Sequence, residues 1–467
     1  MEYLSRRLEM LKEDRRFKFH PKCSKMKLTH LIFADDLLMF GKADMSSIIS
    51  LNTCLQDFCQ VSGLEANPTK CAVYLCGVED NLKAQICTYL SFSEGTLPMR
   101  YLGLPLTTRR ISHFECSSLI NKITNQFQNW QQNRSLSYAG RIQMIKSVIL
   151  GIQTFWFSNY ILPTKILEKI DRLCSAFLWG QKIHLISWDS VCLNKKKEGL
   201  GLFSAKVWNQ ASAVKLLWMI HQKKDILWIK WIHGHYLKNS NVWQVQQRVN
   251  DSWMWKQLLK TRNMILEKYG NADEVLNILN SCSSNGKLRL SLVYNILTNS
   301  SAAINWSETT WGRLNYPKHS IIIWLAFHSR LLTQERLCRF RILSTNCCVL
   351  CSRQPENCKH LFFECQYSAE VWNNVMDWLG YTWRSCTWVQ LSSWYSSCLK
   401  GKGFKKDLKR MALSVAVYFI WQERNVRIFQ GIARTPDTLF RAIKVSIFTR
   451  ILNDDFPAHI KEMIVNL

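Results

Sequence analysis

The chain has 467 residues, with 61 Lys+Arg against 34 Asp+Glu, a formal net charge of +27. With 47% hydrophobic residues it is no disordered acidic tail, and its length suits about three domains of roughly 100–200 residues. The first residues carry charges where a secretory leader needs an apolar run, and the longest apolar runs, Ile321 to Phe327 and Val415 to Trp421, are far short of the roughly 20 residues of a membrane span. We therefore expect an intracellular protein, nuclear or cytoplasmic, with its eighteen cysteines reduced. Residues 1–16 read as the end of a helix with Tyr3, Leu4, Leu8, Met10 and Leu11 on its apolar side. Leu28 to Ala34 and Leu37 to Phe40, split by Asp35-Asp36, predict a hairpin with acids at its turn. Ile48 to Val61 predicts a helix stopped by Ser62-Gly63, and Cys71 to Cys76 a short strand. Residues 97–106 are extended and punctuated by Pro and Gly.

From 113 the pattern becomes helical, with segments over 113–132, 137–152 and 164–178. Ser137 is the expected N-cap of the second, and Gly180 ends the third. Residues 181–290 are mostly helical and rich in Trp and Lys. Asn299-Ser300-Ser301 and Pro317 lead into a further unit, and the tail from 380 holds one strong amphipathic helix near 405–430. The fold class is α+β, predominantly α.

Charge is unevenly spread. Residues 101–240 hold 19 Lys+Arg and 6 Asp+Glu, so 19 − 6 = 13 of the 27 net charges lie in 140 residues. Such an excess suits a polyanionic partner. Most of the twenty tryptophans belong to cores, although rings beside cations also suit stacking on bases. Lys195-Lys196-Lys197 reads as a solvated loop or a short nuclear-targeting run, and the Lys402–Lys409 run solvates a helix face. Gly199-Leu200-Gly201 lacks the strand–helix context of a phosphate loop.

Two constellations carry chemistry. Adjacent carboxylates at Asp35 and Asp36 are either a solvated turn or a place for Mg2+, which prefers carboxylate oxygens and supports two-metal phosphoryl transfer. The second is stronger. Cys348 and Cys351 form a CxxC pair, and His360 and Cys365 follow after a short gap, four soft ligands that suit a closed, structural Zn2+ site. Cys347 and Cys358 compete as ligands, and buried thiols with a core histidine are the alternative. On an ideal helix, residues five apart differ by about 140° in direction. His360 therefore precedes the helix, or the segment is irregular.

Order and context add a resemblance. His30-Leu31-Ile32-Phe33-Ala34-Asp35-Asp36-Leu37-Leu38-Met39-Phe40 resembles the catalytic palm hairpin of reverse transcriptases from plant non-LTR retrotransposons (long interspersed elements). Ser62 to Lys70 is similar to the next block of that family, Arg100-Tyr101-Leu102-Gly103 to its primer-grip hairpin, and residues 110–180 to its helical thumb. Ile323 to Thr333, the Cys/His cluster and Val371-Trp372 resemble the zinc-binding domain C-terminal to these enzymes, and Tyr418 to Phe429 is also similar to family sequence.

The resemblance implies a partial palm (1–108), a thumb (109–180), a basic Trp-rich helical linker (181–288), the zinc-binding domain (289–375) and a helical tail (376–467). It implies Asp35 and Asp36 as metal-binding catalytic carboxylates and Lys70 as proton donor to pyrophosphate, although the chemistry of Lys70 alone favours a surface lysine after a turn. Tyr101, Gly103, Arg109, Arg110, Arg141 and Lys146 are the candidate nucleic-acid contacts, with RNA and DNA as partners and no membrane. A palm of this family needs a further aspartate on an earlier strand, which the sequence does not contain upstream of the hairpin. The expectation is a truncated fragment whose parent activity is RNA-templated DNA synthesis. It is inactive alone and calls for a second polypeptide to supply fingers and palm. The alternatives are a zinc protein that only binds nucleic acid, or a transposon relic.

Overall fold

The computed structural model describes all residues except 133–135, 181–182, 239, 299–303, 382–383, 385, 400, 402 and 458–467. Helices dominate, and the described strands form four two-stranded sheets, which is the α+β, mainly α, architecture expected. The backbone gathers into two compact units. One comprises Met1–Cys116 and Ala213–Leu288, the other Ser117–Ser212 and Arg289–Leu467. The expected Asn299-Ser300-Ser301 boundary and Lys402 lie outside the described residues.

In the first unit the helix Glu2–Met10 buries Leu4 and Leu8 against Leu51, Cys54 and Phe58 of the helix Met45–Ser62. Asp44 caps that second helix by accepting from the Ser47 amide at 2.9 Å, and Gly63, at φ +69°, ends it. An Arg7–Asp57 ion pair links the same two helices. The hairpin His30–Phe33/Asp36–Met39 lays Leu37 and Met39 on this core, so its base is anchored and its tip is not. Phe33 pairs with Asp36, which leaves Ala34-Asp35 as a two-residue turn with Ala34 at φ +53°. Only Ala72–Val73 of the expected strand over 71–76 forms, pairing parallel with Ser93–Glu94. Residues 97–106 make a second hairpin, Met99–Tyr101 on Leu104–Leu106, whose turn residues Leu102 and Gly103 both have positive φ. A glycine suits the second of these positions. The later part of this unit is helical, with Trp253–Tyr269 and Ala272–Ser281. Buried Arg262 there caps two loop carbonyls, Val242 O and Val245 O, at 3.0 and 2.6 Å.

In the second unit three helices follow the expected spacing. They are Ser117–Gln132, a rod from Tyr138 to Phe157 through a π-helical turn at Ile145–Ile149, and Thr164–Trp179. The rod runs five residues beyond the predicted end at 152, because Trp156 and Phe157 are buried and prolong the apolar face. Ser137 caps its start, accepting from the Gly140 amide at 3.2 Å, and Gly180 ends the third helix at φ +85°. Phe127 stacks on Phe177, with ring centroids 4.5 Å apart.

The C-terminal stretch of this unit holds Pro317–Phe327, Gln366–Trp378, Trp388–Cys398, Phe404–Gln430 and Pro436–Leu452. Among the described residues three helices thus occupy the tail where one was expected. The last packs a single stripe, Leu439, Ile443, Ile447 and Ile451, with none of the four exposed. Many tryptophans serve cores as expected, Trp255, Trp324 and Trp372 being fully buried. No described helix is long and apolar enough to cross a membrane.

Candidate metal centre and nucleic-acid elements

The strongest site is built by two short segments meeting. After Cys348 the chain turns back on itself. The Ser352 amide donates to Cys348 O, and the Cys348 amide to Gln354 O, both at 2.8 Å, with Ser352 at φ +55°. Cys347 leaves the ligand set here, because it is exposed and its backbone bridges Pro355. The second segment starts as a helix at Cys358 and widens into a π-helical turn over His360–Glu364, closed by the Cys365 amide donating to His360 O at 2.7 Å. This i→i+5 bond resolves the angular problem posed by the five-residue spacing. The wider turn brings His360 and Cys365 to one side, where a regular helix would turn them apart. Asn357 fixes the entry by accepting from the His360 amide at 2.9 Å.

Cys348, Cys351, His360 and Cys365 thereby present four donor atoms all within 4.8 Å of one another. Cys348 Sγ lies 4.0 Å from Cys365 Sγ, and Cys351 Sγ 3.3 Å from His360 Nε2. A tetrahedral zinc, with Zn–S about 2.3 Å and Zn–N about 2.0 Å, requires donor separations of roughly 3.5–3.8 Å. Three thiol sulfurs and one imidazole within a few tenths of an ångström to an ångström of that spacing form a closed Cys3His set with no position left for substrate. Hydrogen bonding between the paired sulfurs holds the Cys348 thiol well above its ordinary pKa and the Cys365 thiol below it. Cys365 also opens the helix Gln366–Trp378, whose amide end favours a thiolate. Cys358, the other competing ligand, is a buried thiol outside the cluster, and burial pushes it up to about 12.

Around this centre lie buried charges. Glu356 is 0% and Arg424 3% exposed. Arg424 donates from Nε and Nη2 to Glu356 Oε1 at 3.1 and 2.8 Å, and the Gln334 amide donates to the same oxygen at 2.9 Å. Next to Arg424 in the chain, buried Glu423 accepts from Arg427 Nε at 2.9 Å and Arg434 Nε at 2.8 Å. Burial pushes the Glu423 carboxyl up, but the Arg434 amide and the two guanidinium groups outweigh it and hold it below the usual carboxylate range. Arg427 reaches Leu350 O, inside the CxxC loop, at 3.2 Å. Glu423 and Arg424 are thus interior clamps of the zinc-bearing segment, not helix-surface charges. The signal available was Glu423-Arg424 followed by Arg427 at helical spacing on an otherwise apolar helix.

The other predicted residues are less gathered. Asp35 and Asp36 are exposed at the hairpin tip, and among the described residues no His, Cys, Asp or Glu joins them in a group of three. Lys70 is exposed on the turn closed by its amide to Asn67 O at 3.0 Å. Gly103, Arg109 and Arg110 are exposed and Tyr101 half-buried, with Arg110 over the Trp253 ring at 5.9 Å. Arg141 and Lys146 are half-buried and hold backbone carbonyls of their own unit. Arg141 donates to Phe177 O and Leu178 O at 3.4 and 3.2 Å, capping the end of a neighbouring helix. Lys146, half-buried, donates to Leu200 O at 3.2 Å, and burial together with Lys195 pushes it down to about 8.

A closed Cys3His centre held by an antiparallel turn and a π-helical turn defines a structural zinc module. Residues 289–372 match the family described as zinc-binding in reverse transcriptase. A 130-residue stretch is 33% identical to a provisionally named ribonuclease H protein of Arabidopsis thaliana, covering 27% of this chain and 21% of that protein. The chain thus matches about a fifth of that relative's length. Residues 289–372 are a reverse-transcriptase zinc-binding domain, which fits a retrotransposon-related protein.

Proposed function

We propose that this chain derives from the reverse transcriptase of a plant non-LTR retrotransposon and that its retained activity is binding of RNA and DNA. The Cys3His centre inside a reverse-transcriptase zinc-binding domain carries the reading. Zn2+ on these four residues is structural: it fixes the CxxC loop to the helix Gln366–Trp378 and performs no chemistry. A net charge of +27 supplies the attraction to phosphate, and exposed Arg109 and Arg110, beside Tyr101 and Gly103, are the contacts nearest the primer-grip hairpin. The site of action is nuclear or cytoplasmic, where thiols stay reduced.

The parent activity is RNA-templated DNA synthesis. Asp35 and Asp36 are the carboxylates that would hold Mg2+, and Lys70 the residue that would protonate the leaving pyrophosphate. Two-metal transfer needs ions clamped from more than one acidic segment. Asp35 and Asp36 belong to no cluster of three or more His, Cys, Asp or Glu ligands among the described residues, which supports reading the chain as one that does not extend a primer unaided. A second polypeptide would have to complete the palm.

Two assays test this. Affinity for single-stranded RNA should fall steeply from 50 to 200 mM salt, by about 300-fold if six phosphates are neutralised. Salt-insensitive binding, or none, removes the reading. Primer extension with Mg2+ or Mn2+ should give no product, and product abolished by Asp35→Ala would overturn the claim of inactivity.

A further inference from the structure

The helix Phe404–Gln430 is enclosed over its first half but leaves one face open in its second. Tyr418, Trp421, Gln422, Asn425, Val426 and Phe429 fall on that face at helical spacing and, with Ile322 and Gln430, line a groove of about 310 Å³. This is the small end of ligand sites, about 300–1,000 Å³. Three of the eight lining residues are aromatic and three carry side-chain amides, and none is a carboxylate. Phe429 is 79% exposed. Cations sit at the other two rings. Lys318 Nζ is 5.0 Å from the Tyr418 centroid, and the Arg424 guanidinium is 4.9 Å from that of Trp421. Arg424 cannot leave, since Glu356 holds it.

We infer that this groove is a stacking platform for unpaired bases of a single-stranded nucleic acid. A protein's apolar segment is the competing occupant. The groove suits it less, because half of its non-aliphatic lining is amide, which matches base edges, and because exposed Lys318, beside the Tyr418 ring, offers a cation to a phosphodiester backbone, Arg424 being neutralised by Glu356. Aromatic rings accept any base through its π-face, so the platform is indifferent to sequence. Trp421 and Phe429 carry the stacking, while Gln422 and Asn425 meet base edges. The inference rests on the proposed nucleic-acid reading and adds to it a base-contacting site separate from the phosphate attraction.

The test uses the full zinc-loaded chain and fluorescence anisotropy with a labelled twelve-nucleotide oligouridylate and an abasic strand of equal length and charge. Stacking of about 1–3 kcal/mol per base corresponds to roughly 5- to 150-fold in affinity. The wild-type chain should therefore bind the base-bearing strand at least fivefold more tightly. Phe429→Ala, at an exposed position that leaves the fold intact, should remove much of that preference. Trp421→Ala should remove more of it, and Trp421→Phe should restore it, with the zinc content unchanged in each. Binding both strands equally overturns the platform and leaves the nucleic-acid reading standing, whereas binding neither strand removes both. Variants that keep the strand preference but lose self-association in sedimentation would make the groove a protein-docking surface and overturn the inference.

Discussion

Replacing Glu356 by alanine should lower the stability of the zinc-bearing unit far more than loss of a surface carboxylate would. Exposed ion pairs contribute about 0–1 kcal/mol. Glu356 and Arg424 are 0% and 3% exposed, and one carboxylate oxygen receives two guanidinium N–H groups and the Gln334 amide. Alanine leaves the guanidinium interred without its counter-charge, a change that typically costs about 3–5 kcal/mol. At about 2–4 °C per kcal/mol for a unit of this size, the melting midpoint should fall by about 6–20 °C. The measurement is thermal unfolding followed by circular dichroism at saturating zinc, since metal binding itself contributes folding free energy. Glu356→Leu with Arg424→Met, which removes both charges, should lie close to wild type. A loss under about 1 kcal/mol for Glu356→Ala, or a double variant as unstable as the single one, would refute the reasoning.

Elemental analysis should find one zinc per chain, absent from Cys348→Ser/Cys351→Ser and retained in Cys347→Ser and Cys358→Ser. Retention by the first variant would move the centre elsewhere. His319 is buried among Tyr316, Tyr418 and Phe419, with Lys318 beside it, and burial pushes its pKa down to about 3. The unfolded chain protonates it below about 6.5 while the folded chain keeps it neutral, so this contribution is intact above pH 6.5 and is lost as pH falls toward 3. Between pH 7.5 and 5.5, His319→Phe should therefore lose about 1.4 kcal/mol less stability than wild type in urea titrations, and parallel curves would contradict this. Asp35→Ala, at an exposed hairpin tip, should shift stability by no more than about 0.5 kcal/mol, and a larger loss would reveal an interior role for that carboxylate.

Much of the local architecture was legible because single residues decide it. Ser137, Gly63 and Gly180 stand where caps must stand, and Asp35-Asp36 interrupts two apolar runs that can only pair as a hairpin. The four ligands were legible from spacing, and the five-residue interval forced a choice between two geometries that the π-helical turn settles. What escaped depends on tertiary placement. Glu423 and Arg424 look like solvated charges until Glu356, 68 residues before Arg424, is seen beneath the helix. The carbonyls that Arg141 and Lys146 hold, 37 and 54 residues away, are likewise invisible in a linear pattern. The stripe Leu439, Ile443, Ile447, Ile451 was present in the sequence at intervals of four, but its intervening residues dilute the pattern.

The π-helical turn also sets which length changes the module can absorb during divergence. Between Ser352 and Pro355 the chain is exposed, and an added residue would only enlarge a bulge. Between His360 and Cys365 it cannot grow or shrink, because one residue more or fewer swings the imidazole around the axis and away from the sulfurs. Copies of this module should therefore accumulate insertions ahead of Glu356 and hold the later interval at a fixed count. A copy altered there would have lost its metal whatever else it preserved.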